Sequence, residues 1–216
     1  MTRRADESGF SLIEVLVAIG IFAVISTAFY QVLFAGAGGS TTARSVAEVS
    51  SEARLGLNRM IRDTRQAANI TSATPTSYTI DVDFDGSGSI TQAPTRNSGG
   101  DYEQLSFVFD DGQIYIEACN AQQGADCGEQ KTILIERVGL VGTLPIFSYS
   151  TNHLEFDYNN NGIATQSELD SAGTAGITLS TAEKNAYLSD VQYSMNITDG
   201  DRTTTFYGHS QLRNKR

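Results

Sequence analysis

Apolar residues are concentrated in one block of the chain. Over residues 10–37 (FSLIEVLVAIGIFAVISTAFYQVLFAGA) nearly every position is hydrophobic or small. The rest alternates short apolar stretches with Ser, Thr, Asn, Asp and Gly. About 20 apolar residues cross a bilayer as a helix, so this run predicts a membrane-spanning helix. Ala35-Gly36-Ala37-Gly38-Gly39-Ser40 follows, and each glycine weakens a helix by roughly 1 kcal/mol, which predicts a bend or local melting there. The helical period then returns. Val46, Val49, Ala53, Leu57, Met60, Ile61, Thr64 and Ala68 recur at spacings of three and four, an amphipathic stripe that predicts a helix packed on its own domain. Arg44, Glu48, Glu52, Arg54, Arg62 and Asp63 fall mostly off that stripe. A nearly continuous helix over 10–68 would be roughly 90 Å long.

Beyond Ala68 the period shortens to two. Residues 77–84, 104–109, 113–118, 131–138, 144–149, 153–158 and 187–197 read as strands between Gly, Asn and Asp clusters. Strands do not alternate with helices, so a parallel sheet is not expected. The predicted class is α+β: a long N-terminal α-helix, membrane-spanning in its first half, packed against an antiparallel β-sheet.

At 216 residues the chain has room for one ordinary domain and an appendage. Its formal charge is −10. Removing residues 1–9 takes away Arg3, Arg4, Asp6 and Glu7, two charges of each sign, and leaves that total unchanged. An acidic body argues against nucleic acid and against anionic lipid as partners. The tail residues Arg213, Lys215 and Arg216 read as solvated charges at a chain end. The cysteines, Cys119 and Cys127, lie close together between two strand candidates. In an exported domain such a pair reads as a disulfide clamping a hairpin loop, worth about 2–3 kcal/mol; in a reducing compartment it would be two free thiols. The only histidines are His153 and His209, and no GxSxG, HExxH or phosphate-loop motif accompanies them. They read as surface or strand residues, which argues against an enzyme.

Residues 1–9 (MTRRADESG) are polar and carry two arginines directly before the apolar run. That bias places the N-terminus in the cytoplasm and the C-terminal body outside it. A secretory signal would have a shorter apolar core with its cleavage site after it; here the site reads as lying before the run, so cleavage would leave the anchor attached. One charge interrupts the run, Glu14. A carboxylate inside a membrane costs on the order of a few kcal/mol. If the chain began at Phe10, its free amine would lie about 6 Å along the helix from Glu14. A neighbouring copy shifted along the axis could bring its amine to that carboxylate and set axial register. The alternative is a glutamate reaching to the headgroups of a plain anchor.

Gly9-Phe10-Ser11-Leu12-Ile13-Glu14-Val15 resembles the class III leader motif of type IV prepilins and type II secretion pseudopilins. The resemblance covers residues 3 to about 36. It implies cutting after Gly9 by a prepilin peptidase/methyltransferase, N-methylation of Phe10, and assembly guided by Glu14. Implied partners are other pilin or pseudopilin subunits and an inner-membrane assembly platform. The implied location is the inner membrane, single-pass with the body outside, then the filament. The division is a leader at 1–9, a transmembrane and assembly half-helix at 10–37, an amphipathic half at 38–70 and a β-rich body at 71–216, the lollipop shape of pilins. Residues 54–67 (RLGLNRMIRDTRQA) and 210–214 (SQLRN) resemble W-type minor pilins and J-type minor pseudopilins, which implies an initiator or tip component without catalysis. Two further readings stand beside it: a tip module for adhesion or substrate binding, with aromatics such as Tyr149 and Tyr207 on exposed loops, and a plain anchored domain.

The remaining chemistry is oxygen-rich. Residues 157–168 (DYNNNGIATQSE) satisfy the EF-hand loop pattern. Calcium ligands would be Asp157, Asn159, Asn161, the Ile163 carbonyl and a bidentate Glu168, with Gly162 at the sharp turn. The segment before the loop reads as a strand rather than a helix, and the same residues would also suit an Asn/Gly-rich hairpin turn. A second acidic loop carries Asp81, Asp83 and Asp85; counted from Asp83, its twelfth position is Pro94. Calcium there would have to recruit a distant ligand, and otherwise the loop is a turn. Calcium sites occur in several pseudopilins, so the resemblance favours both loops. No cofactor is required.

Overall fold

The computed structural model describes residues 11–91, 102–117, 131–172 and 177–213, with the backbone alone at 36–46. The chain divides into two compact units, Met1–Ala47 and Glu48–Arg216. Helix α1 runs Leu12–Gln66. It is unbroken through 35–40, which corrects the expected interruption: glycine lowers propensity but keeps its amide donor, so the hydrogen-bond ladder continues. In the first unit the described large apolar side chains of α1 are exposed, Leu12 by 85%.

In the second unit the last turns of α1 bury Ala53, Leu57, Met60 and Thr64, at the spacing the sequence stripe predicts. Asp63 is also buried and is held by Arg59 at 3.6 Å and Arg62 at 3.0 Å, so it does not fall off the packed face as expected.

Strands β1 (Asn69–Ala73), β2 (Ser77–Asp81), β3 (Gln104–Asp110), β4 (Gln113–Glu117) and β5 (Lys131–Ile135) form an antiparallel meander in chain order. The β3–β4 hairpin closes on the two-residue turn Asp111-Gly112, the favoured hairpin dipeptide. A second antiparallel sheet has the order β10-β9-β7-β8, with β6 (Val138–Gly139) also paired to β9. Its members are β7 (Phe147–Thr151), β8 (Ala164–Thr165), β9 (Asp190–Asp199) and β10 (Arg202–Gln211). Two short helices, α2 (Gln166–Asp170) and α3 (Thr181–Tyr187), lie between β8 and β9.

Aromatic rings join the sheets. Tyr78 of β2 stacks on Phe107 of β3 at 4.9 Å and meets Phe147 of β7 edge-on at 5.0 Å. The hydroxyls of Tyr78, Tyr193 and Thr64 close a buried triangle with sides of 2.9–3.1 Å. One helix residue and one residue from each sheet therefore satisfy each other's polar groups in the interior.

Several local expectations change. Residues 153–158 are not a strand; Leu154–Phe156 is a 3₁₀ turn, with bonds from the Phe156 and Asp157 amides to carbonyls three residues earlier. Tyr187 ends a helix, because Ser180 and Glu183 form a capping box that starts α3. The body holds two sheets rather than one, and β10 was not expected at all.

Candidate functional site

The N-terminal end of α1 is built by Ser11 and Glu14. The Ser11 amide and hydroxyl donate to Glu14 Oε2 at 3.1 and 3.2 Å, and the Glu14 amide donates to Ser11 Oγ at 3.3 Å. This reciprocal arrangement satisfies amides that the first helical turn cannot pair. Within one chain, then, Glu14 already has a role: it caps the helix it interrupts. On the same face one and two turns on lie Ala18 and Phe22. Residues Leu12–Ala35 have a mean hydropathy of 2.4 and none of that stretch is buried, long and apolar enough to cross a membrane. Gly9 and Phe10 lie outside the described residues.

The loop at 157–168 is wound inward. Asp157 Oδ1 accepts from the Asn161 amide at 3.1 Å and Oδ2 from the Gly162 amide at 2.7 Å. Asn159 Oδ1 accepts from the Asn161 amide, and Asn161 Oδ1 from the Ile163 amide. Gly162 has φ +86°, which a side chain would resist. The chain then enters β8 and α2, and Glu168 returns across the loop, accepting from the amides of Thr165 at 2.9 Å and Asn159 at 3.3 Å. The bonds from Thr165 hold the half-buried Glu168 carboxyl below its ordinary value of 4.5, so it is ionised at neutral pH. Every side-chain donor in the set is an oxygen, the kind calcium takes.

The second acidic loop winds the same way. Asp83 accepts from the amides of Ser87 at 3.0 Å and Gly88 at 2.8 Å, Asp85 accepts from Ser87, and Gly88 has φ +75°. Its missing twelfth carboxylate is supplied from elsewhere. Glu103, just before β3 and buried, accepts from the Thr91 amide at 2.7 Å. Thr91 is the ninth position of this loop, as Thr165 is of the other, and the two ninth-position amides bond to Glu103 and Glu168. Asp83, Asp85 and Glu103 bring ligand oxygens within 4.8 Å of one another. Asp81 is not among them; it faces Gln104, whose side chain donates to it at 3.1 Å.

Residues 4–30 match the family model of the prokaryotic N-terminal methylation motif. The chain has a prepilin-type N-terminus. No curated protein and no solved structure matches the chain. The motif implies processing by a prepilin peptidase and assembly with other pilin subunits, and the apolar helix fits membrane anchoring.

The other candidate residues fall apart in space. Cys119 and Cys127 lie outside the described residues. Tyr149 is not on an exposed loop but buried in β7, its hydroxyl donating to the Thr74 carbonyl at 2.6 Å. Tyr207 is 66% exposed, on β10 rather than a loop. His153 pairs with Glu155 at 2.8 Å on the surface, and His209 lies in β10. Glu103 is the residue that sequence reasoning missed; it stands 18 positions from Asp85, outside any contiguous loop pattern.

Proposed function

We propose that this chain is a minor pilin or pseudopilin subunit, trimmed after Gly9, N-methylated at Phe10, and assembled through α1 into a type IV pilus or a type II secretion pseudopilus as an initiator or tip component. The observation that carries the reading is the prepilin-type motif at 4–30 continuing into an apolar helix whose side chains lie exposed, with Glu14 its one carboxylate. In a filament those side chains would find partners on neighbouring copies. Glu14 would exchange its cap with Ser11 for the terminal amine of a neighbour, a charge-assisted contact stronger than a neutral one. The likeness of 54–67 and 210–214 to minor subunits supports the position proposed. The role is structural; the cleavage chemistry belongs to the peptidase, and the inner-membrane platform would receive the processed chain.

The body is proposed to carry calcium at 157–168, through Asp157, Asn159, Asn161, the Ile163 carbonyl and Glu168. Asp83 and Asp85 are proposed as a second, weaker site completed by Glu103. The ion would rigidify the loops and take no part in chemistry. A disulfide between Cys119 and Cys127 belongs to the same reading of an exported body.

Mass spectrometry of the protein from cells that contain the peptidase tests the main proposal. The expected chain begins at Phe10 and is heavier by one methyl group. An intact Met1 start in the working protein overturns it.

A further inference from the structure

Near the end of α1, the helical period puts Asn58, Arg62, Arg65 and Gln66 on one side of the helix. With Ile61 and Arg213 they line a cavity of about 300 Å³. The fold brings Arg213 to this place. Its amide donates to the Arg65 carbonyl at 3.3 Å, Ser210 Oγ donates to the Ile61 carbonyl at 3.0 Å, and Gly208 lies against Leu57 and Ile61. Two arginines of the helix and one from the segment after β10 therefore converge on one cavity.

Arg62 is steadied by its neighbour. Its Nε donates to the buried Asp63 at 3.0 Å, a carboxylate that Arg59 also approaches at 3.6 Å. The Arg62 side chain still keeps 67% of its surface open, and Arg65 and Arg213 are exposed as well. All three are within reach of a solute. Like charges gathered on one surface repel one another, and an anion between them would reverse that cost. The chain's charge of −10 does not oppose this, because salt screens exposed charges beyond about 8 Å. The Arg213 amide also covers the Arg65 carbonyl, one of the free carbonyls that give a helix its negative end.

We propose that this cavity binds a phosphate group, held by the guanidinium groups of Arg62, Arg65 and Arg213, with the side-chain amides of Asn58 and Gln66 as further donors. Arginine presents a planar fork of donors that matches phosphate oxygens in pairs. Such charge-assisted bonds are about twice as strong as neutral ones. The volume suits one small phosphate compound or one headgroup, not a length of nucleic acid. The group can arrive free in solution or on an acidic lipid, and the site's chemistry is the same for both. The inference stands apart from filament assembly and from calcium, and depends on neither.

The test is calorimetric titration of the full chain in a neutral detergent with pyrophosphate, at about 0.15 M salt, where long-range attraction is screened. Saturable binding is the expected result. R65Q and R213Q, both at exposed positions, are each expected to weaken it at least about ten-fold. R54Q changes an exposed arginine of α1 outside the cavity and is expected to bind as the wild type does. Displacement of bound pyrophosphate by phosphatidic acid in the same detergent, and not by phosphatidylcholine, assigns a lipid headgroup. Failure of both lipids to displace it assigns a free phosphate compound. Equal weakening by R54Q, or no saturable binding to the wild-type chain, overturns the proposal, and the second result needs no variant.

Discussion

Gly56 shows how closely α1 approaches the first sheet. A Cβ built there would lie 2.4 Å from the Ile135 side chain and 2.6 Å from the Leu134 carbonyl oxygen. The second contact is backbone and cannot swing aside. Gly56→Ala is expected to destabilise the body by about 1–3 kcal/mol, as overpacking usually does. A thermal melt checks this, since each kcal/mol moves the midpoint of a domain this size by about 2–4 °C; an unchanged or higher midpoint would show that α1 does not sit against β5. The buried hydroxyls give a second prediction. Burial, first among the causes, raises Tyr78, Tyr149 and Tyr193 above the ordinary tyrosine value of 10.0. Their contribution to stability is complete below that pH, where the unfolded phenols also stay protonated. It is lost as pH rises toward the higher folded values, because the unfolded chain ionises first. A spectrophotometric alkaline titration should leave three of the nine tyrosines un-ionised until circular dichroism reports unfolding. A full phenolate signal from a folded chain would contradict the buried triangle.

The secondary-structure elements were legible in proportion to how local their causes are. The stripe from Ala53 to Thr64 was readable because one period recurs over several turns, and β2, β3 and β4 because apolar alternation ends at turn residues. α3 was hidden because Ser180 and Glu183 decide it through a capping box, while Tyr187 and Leu188 suggested a strand. β10 was missed because nine of its ten residues are exposed or half-buried, leaving little apolar alternation to see. At 157–168 the sequence gives the whole donor set in register, but Glu103 is visible only once β2 and β3 pair, with Asp81 opposite Gln104. Calcium titration of the chain should therefore show a site abolished by Asp157→Ala, with saturation raising the melting midpoint. An unchanged isotherm in that variant would leave the loop a turn. A second, weaker site should disappear with Glu103→Gln, a change that no contiguous loop pattern would predict.

For the whole molecule, the helix that is long and apolar enough to cross a membrane also carries the proposed assembly residue. Glu14 caps its own helix in the single chain and is proposed to pair with a neighbour's amine in the filament. Glu14→Val removes both possibilities and adds apolar surface. The variant is expected to insert into the membrane normally and to appear in sheared filaments at a small fraction of the wild-type level. Wild-type incorporation, read by immunoblot, would count against the charge pair. The apolar helix and its one carboxylate were readable from residues 10–37, since hydropathy alone marks them. The division of the body into two sheets was not, because it depends on which strands meet across the rings of Tyr78, Phe147 and Tyr193.

The last turns of α1 are fastened at several points. Thr64 bonds to a tyrosine from each sheet, Ser210 Oγ donates to the Ile61 carbonyl at 3.0 Å, and the Arg213 amide donates to the Arg65 carbonyl at 3.3 Å. A pull delivered through the last turns of α1 would reach early and late parts of the body together instead of peeling one strand at a time. Such a load is shared in parallel, so the body should withstand traction that would unzip a domain attached by a single edge.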